Sequence, residues 1–242
     1  MRDFPTAGIL RSVSPQGNPN SAVAFPLLIR FAKIGLMRFI GHLDWQALQQ
    51  AMFLRAGLTV AQSTGPTHRL RMKTSPPTPV GVASRAEFTY LLLAQPLYPG
   101  EASRRLREHC PEGVEVVVAK DAGHLARKNP FGTIEATEYL VEFGQGVDSS
   151  RFKEALALLE RMGPESPPET EAEDIEKFWG RVLSVDVANG SVRLMALQRE
   201  GETLHGAHCA SFLEKRLSLP HYPVFTKLDY YRLKPSRRRL FQ

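Results

Sequence analysis

Leu27-Leu-Ile-Arg-Phe-Ala-Lys33 is followed, after Ile34-Gly-Leu-Met-Arg-Phe-Ile-Gly41, by His42-Leu-Asp-Trp-Gln-Ala-Leu-Gln-Gln-Ala-Met-Phe-Leu-Arg55. The first run is short, apolar and rich in branched and aromatic residues, which reads as a strand. In the second, Leu43, Ala47, Leu48, Ala51, Met52 and Leu54 recur at helical spacing, and Gly57 stands where a helix ends on a left-handed residue. A strand leading straight into a helix makes the chain α+β or α/β, and the elements that follow choose between them.

His68-Arg-Leu-Arg-Met-Lys-Thr74 alternates strictly and is stopped by Pro76, Pro77 and Pro79. Ala86–Ala94 predicts the next strand, 99–109 an amphipathic helix and Val114–Ala119 another strand. The order is β-α-β-β-α-β, the split β-α-β pattern of a ferredoxin-like domain. The second half repeats it. A strand is expected over 138–143 and a helix over 149–162 with Ser149 as cap. Two alternating runs, 181–187 and 191–197, flank Asn189-Gly190, the strongest short hairpin signal. A helix over 207–217 and a strand over 224–233 complete the set. The expected fold class is therefore α+β, with two tandem ferredoxin-like (βαββαβ) domains. Residues 1–24 are expected to form a loose leader, 25–122 a basic domain, 135–234 a second domain and 235–242 a basic tail.

The chain has 242 residues and a net charge of +6. Residues 1–134 hold 16 Lys/Arg against 8 Asp/Glu, and residues 135–242 hold 15 against 17. A basic half beside a slightly acidic one points to a polyanion on one side, or to a solvated basic surface. Two cysteines, Cys110 and Cys209, build no disulfide framework, and a cytoplasmic setting follows as the expectation. No apolar run reaches the length of a membrane helix.

The clearest charged pattern is Arg69, Arg71 and Lys73. In a strand these side chains share one face, spaced about 6.6–6.8 Å, while Leu70 and Met72 take the other. Successive phosphates of a nucleic-acid strand have a similar spacing. Guarding an exposed sheet edge is the competing reading. Arg30, Lys33, Arg38, His42 and His68 complete the expected nucleic-acid-binding set. Phe88 and Tyr90 share a strand face and suit either base stacking or the core.

His42 and Asp44 fall at the first and third positions of the helix, with Gly41 as N-cap. Asp44 is placed to cap the helix. His42 stands open between packing, ligand contact and service as a neutral general base. His205, His208 and Cys209 lack the further ligands of a zinc site. No phosphate-binding glycine loop or nucleophile elbow is present, and two cysteines cannot hold an iron–sulfur cluster alone. No metal or cofactor is expected.

Arg30-Phe-Ala-Lys-Ile-Gly-Leu-Met-Arg-Phe-Ile-Gly-His-Leu-Asp44 resembles the opening of the radical-SAM-linked protein family, roughly R-F-S-K-x-G-x-x-R-F-[LI]-S-H-L-D. Ala56-Gly-Leu58 and Pro79-Val-Gly-Val-Ala-Ser-Arg-Ala-Glu-Phe88 also follow that family's pattern. The family serine before the histidine is Gly41 here, and the loop at 64–69 departs from the family's Pro- and Asn-rich one. Members are commonly appended to cobalamin-binding radical SAM proteins. The resemblance implies a stand-alone accessory module, non-catalytic by itself, that guides a separate radical SAM enzyme to RNA (tRNA or rRNA).

Two alternatives stay open. Tandem ferredoxin-like domains with a histidine by the first helix resemble the endoribonucleases that process CRISPR repeats, with His42 as the catalytic residue. Those enzymes carry a glycine-rich loop near the C-terminus, where this chain has Leu228-Asp-Tyr-Tyr-Arg-Leu-Lys234. The other alternative is a protein-docking adaptor without RNA contact, using the acidic 165–176 loop.

Overall fold

The computed structural model describes residues 24–64, 66–125, 128–143, 182–188, 191–199, 202–203, 218–219, 223–232 and 238–239, with 154, 157 and 214 as single positions. In chain order the elements are β1 (Phe25–Lys33), a 3₁₀ turn (Gly35–Phe39), α1 (His42–Arg55), β2 (Met72–Thr74), β3 (Ala83–Leu93), α2 (Pro99–Arg107) and β4 (Val114–Asp121). The second half supplies β5 (Ala136–Glu142), β6 (Val182–Ala188), β7 (Ser191–Arg199), β8 (Glu202–Thr203), β9 (Val224–Arg232) and β10 (Arg238–Arg239). The mixed α+β class is as expected. Of the helices expected over 149–162 and 207–217 only positions 154, 157 and 214 are described, all three helical; the acidic 165–176 loop and the His205/His208/Cys209 group lie outside the described residues.

The two halves share one sheet. Its order is β4-β1-β3-β9-β5-β7-β6, with β2 on β3, β8 on β7 and β10 on β9. β3 serves both halves from one edge. Residues 89–91 pair with β2, and Ala83 and Ser84 then pair with β9. That β3–β9 contact is parallel, whereas the other strand pairings are antiparallel. β9 thereby sits between β3 and β5 and closes the gap between the halves. Part of the expected basic tail, Arg238 and Arg239, returns as β10 beside Tyr231 and Arg232.

The strand alternation fixes the layers. Leu27, Ile29 and Phe31 face the helices and pack with Trp45, Met52 and Phe53 of α1 and Ala102 and Leu106 of α2. Phe31 meets Trp45 edge-on, ring centroids 5.7 Å apart. Each large apolar side chain buried there contributes about 1.5–3 kcal/mol. On the opposite face Leu28, Phe88, Tyr90, Leu92 and Tyr230 pack under Ala122, Phe131 and Ile134 from the segment between β4 and β5. Phe88 and Tyr90 are therefore core, not a stacking platform.

α1 turns a different stripe inward from the expected one. Trp45, Gln49, Met52 and Phe53 are buried, while Leu43 and Leu54 are exposed. Trp45 and Phe53 carry the larger apolar area, and burying them rotates the helix away from the leucines. Gly57 takes the left-handed conformation expected after the helix, with φ of 65°. Gly113 has a stronger constraint. Its φ is 81°, and a Cβ there would lie 2.7 Å from the Ile34 carbonyl oxygen. Its own carbonyl accepts the Ile34 N–H at 2.9 Å, which fixes the chain as it leaves β1.

Candidate nucleic-acid interface

Residues 69–74 run along the edge of β3. Regular pairing covers only Met72–Thr74, and an isolated bridge joins Leu70 to Gln62. Arg71 donates its N–H to the Ala61 carbonyl and accepts from the Leu92 N–H through its own. The alternation is as expected. Leu70 and Met72 pack against the helix-side core, and Arg69, Arg71 and Lys73 are exposed. Lys73 Nζ donates to the Lys128 carbonyl. His68 is exposed in the loop before it.

A polar cleft of about 630 Å³ separates this segment from α1, lined by Gln46, Gln50, Thr67, His68, Arg69 and Thr74 among others. Gln46 and Gln50 lie one turn apart on α1, so both reach it. The Gln46 amide also donates to His42 Nε2 at 3.0 Å and to Thr74 Oγ1 at 3.1 Å. This makes Nε2 the acceptor and leaves Nδ1 to carry the proton of a neutral ring. Burial holds His42 below the usual histidine range; the Glu87 carboxylate opposes this, and Lys33 and Lys227 reinforce it.

Behind His42 lies a buried charged cluster. Lys227 Nζ is 2.7 Å from Glu87 Oε1, with both side chains almost wholly buried. Lys227 also donates to Tyr230 Oη at 2.8 Å, and Tyr230 Oη donates to the Pro76 carbonyl at 3.1 Å. Thr78 donates to Glu87 Oε1. Burial alone would raise the Glu87 carboxyl, but Lys227, Thr78 and Lys33 bring it below the ordinary range. Burial alone would lower Lys227, and Glu87 and Tyr230 more than reverse that. Lys33, paired in the sheet with Ser84 and Val114, is 2% exposed, and its ammonium forms no ion pair among the described residues. Burial pulls its ammonium below the usual lysine range, opposed by Glu87 and reinforced by Lys227.

A bulge creates this cluster. Phe31 pairs with Glu87 and Lys33 with Ser84, so β3 uses three residues where β1 uses two. The extra residue brings Ser84 onto the same face as Lys33 and Glu87, and Lys227 joins them through its pairing with Ser84.

The expected site residues are thus divided. Arg69, Arg71, Lys73 and His68 lie on the open edge, with His42 one step away through Gln46. Lys33 is in the interior. Arg30 is on the opposite face, stacked on Phe88 at 5.4 Å. It also pairs with Asp229 at 3.3 Å and donates to the Leu228 carbonyl at 2.8 Å, tying β1 to β9. Arg38 lies in the 3₁₀ turn over the Phe39 ring at 4.7 Å, with its Nε buried and unpartnered. The expected capping by Asp44 does not form: no side chain caps α1, and Asp44 is exposed. Glu87, Lys227, Thr78, Tyr230 and Gln46 were missed by sequence reasoning. Lys33 had a signal, because it shares parity with Ile29 and Phe31; Lys227 had none.

Apolar side chains are also exposed in the 3₁₀ turn, the first turn of α1 and the loop before β3. Leu36, Phe39, Leu43 and Val80 are all exposed, and the Gly81 N–H bonds the Arg38 carbonyl to bring the two loops together. No helix among the described residues is long and apolar enough to cross a membrane.

The model of a protein family described as "uncharacterized protein conserved in bacteria (DUF2344)" matches residues 27–184. Among curated proteins no match is found.

Proposed function

Since the chain belongs to that uncharacterized bacterial family, which prescribes no activity, we propose from the geometry that it is a non-catalytic RNA-binding module. The observation that carries this reading is the exposed file of Arg69, Arg71 and Lys73 beside a polar cleft. The cations track a phosphate backbone, while Gln46, Gln50, Thr67 and His68 offer donors and acceptors to base edges or ribose hydroxyls. The basic balance of residues 1–134 supports the same reading.

The finer reading is an accessory module that brings a separate radical SAM enzyme to tRNA or rRNA in the cytoplasm. The exposed side chains of Leu36, Phe39, Leu43 and Val80 support a protein partner, because apolar surface of this kind favours association. The strand orders β4-β1-β3-β2 and β9-β5-β7-β6 repeat one pattern, which supports reading the sheet as two ferredoxin-like halves.

The test is fluorescence anisotropy of tRNA and rRNA fragments across a salt series. Binding should weaken steeply with salt, and Arg69→Ala and Arg71→Ala should weaken it for every sequence. Salt-independent binding, or none to any fragment, rejects the reading. The ribonuclease alternative has one observation behind it, a histidine whose protonation burial disfavours, hydrogen-bonded to the cleft residue Gln46. RNA cleavage in EDTA that is lost in His42→Ala would establish it instead.

A further inference from the structure

We infer that the cleft between α1 and residues 67–74 holds one unpaired nucleotide whose base carries an exocyclic amine, adenine or cytosine, and that Gln46 Oε1 selects it. The inference rests on the RNA-binding reading and names the part of an RNA that the cleft takes.

Size and lining suit a single base. The volume of about 630 Å³ lies within the roughly 300–1,000 Å³ of ligand pockets. A cleft of that size takes a nucleotide and not a duplex. Sequence-specific RNA recognition targets unstacked bases, whose edges are free. Leu70 and Met72 supply apolar lining, and Gln46, Gln50, His68 and Arg69 supply polar groups. Arg69 is the member of the exposed cationic file that lines the cleft, so a phosphate contact adjoins the base contact.

The amides of α1 set the polarity. Gln46 Nε2 donates to His42 Nε2 at 3.0 Å and to Thr74 Oγ1 at 3.1 Å. A side-chain amide has two N–H donors and one carbonyl acceptor. The Gln46 donors are therefore spent, and its Oε1 accepts from no group among the described residues. Behind it the next amide repeats the arrangement. Gln49 Nε2 donates to Thr89 Oγ1 at 2.7 Å, and Gln49 Oε1 is buried without a partner. Thr74 and Thr89 are paired across β2 and β3. α1 thus sets two glutamine nitrogens on neighbouring threonines and leaves both oxygens unpaired. A buried acceptor without a donor is costly, so a ligand that donates is favoured here over one that accepts.

An exocyclic amine is such a donor. Adenine and cytosine carry one where guanine and uracil carry a carbonyl oxygen. Against Gln46 Oε1 the amine makes a hydrogen bond, whereas the carbonyl sets oxygen against oxygen. Turning the Gln46 amide over to suit a carbonyl would put its oxygen against His42 Nε2, itself an acceptor. Gln50, one turn further along α1, is exposed, and its amide is free to donate to the ring nitrogen beside the amine.

The experiment uses the full chain and single-stranded uridine decamers carrying adenosine, cytidine, guanosine or uridine at one central position. Fluorescence anisotropy at fixed salt should show adenosine and cytidine bound roughly tenfold tighter than guanosine and uridine. Inosine, which replaces the amine of adenosine by a carbonyl, should bind like uridine, a readout that needs no variant to fold. In Gln46→Ala the preference should vanish while the salt dependence of binding stays as in wild type. Free adenosine monophosphate, and not uridine monophosphate, should compete with the adenosine decamer. Salt-dependent binding with equal affinity for all five RNAs overturns the base pocket and leaves the proposed function standing. Tighter binding of guanosine, uridine or inosine overturns it as well. A preference that survives in Gln46→Ala overturns the role of Gln46. Binding of adenosine monophosphate over uridine monophosphate, with no RNA bound, upholds the amine-reading pocket and rejects the proposed function. Binding of no nucleotide and no RNA overturns both.

Discussion

Lys227 Nζ and Glu87 Oε1 meet at 2.7 Å inside the protein and join β9 to β3, the strands through which the two halves become one sheet. Removing one partner leaves the other charged and buried. Lys227→Met or Glu87→Gln should therefore each cost about 3–5 kcal/mol. The double variant should recover much of that loss. Urea unfolding of the three variants measures it; additive losses would show that the pair does not act as a unit.

The same pair sets a pH profile. The Glu87 carboxyl is lowered on folding, so its stabilisation is complete above the ordinary carboxylate value of 4.5 and is lost as pH falls through the folded value. Lys227 is raised on folding, so its contribution is complete below 10.5 and is lost as pH rises through the folded value. Wild type should weaken at both extremes, and the double variant should lose both arms. Thermal unfolding across pH checks this.

Lys33 has the opposite sign from Lys227. Its ammonium is lowered on folding, so between the folded value and 10.5 the unfolded chain holds more protons. Stability gains from rising pH in that window. Lys33→Met should remove that gain and stabilise the protein at neutral pH. A variant less stable at neutral pH, with an unchanged slope, would contradict it.

His42 is held below the usual histidine value of 6.5. Folding stability should fall as pH drops through 6.5 toward the folded value. The Gln46 N–H donates to the ring and favours its neutral form. Gln46→Ala should move the His42 titration upward, toward 6.5, as read by NMR of the ring protons.

Arg71→Ala should leave stability within about 0.5 kcal/mol, because the side chain is exposed. It should also reduce the slope of log affinity against log salt for single-stranded RNA by about 0.7. A slope unchanged by Arg69, Arg71 and Lys73 substitutions would place the RNA elsewhere.

The legible part of this fold was local. β1, α1, the alternation of 69–74 and the strands flanking Asn189-Gly190 all follow from periodicity and turn residues within a few positions of each other. The insertion of β9 beside β3 was not legible, because nothing near Val224–Arg232 names its partner. The bulge opposite Phe31 was equally hidden, and with it the meeting of Lys33, Ser84, Glu87 and Lys227. Of the candidate site, Arg69, Arg71 and Lys73 were read correctly as one exposed file. Lys33 was grouped with them by charge, although its parity with Ile29 and Phe31 places it inside. The inward stripe of α1 was misphased because the leucines were weighted equally with Trp45 and Phe53.

The place of β9 has a consequence for synthesis on the ribosome. β9, which follows every other long strand among the described residues, fills the middle of the sheet, so β3 and β5 wait with open edges until residues 224–232 have emerged. Nascent chains that stall before that point expose two strand edges and leave Glu87 without Lys227. A chaperone that masks strand edges would be needed most in the interval before β9 arrives.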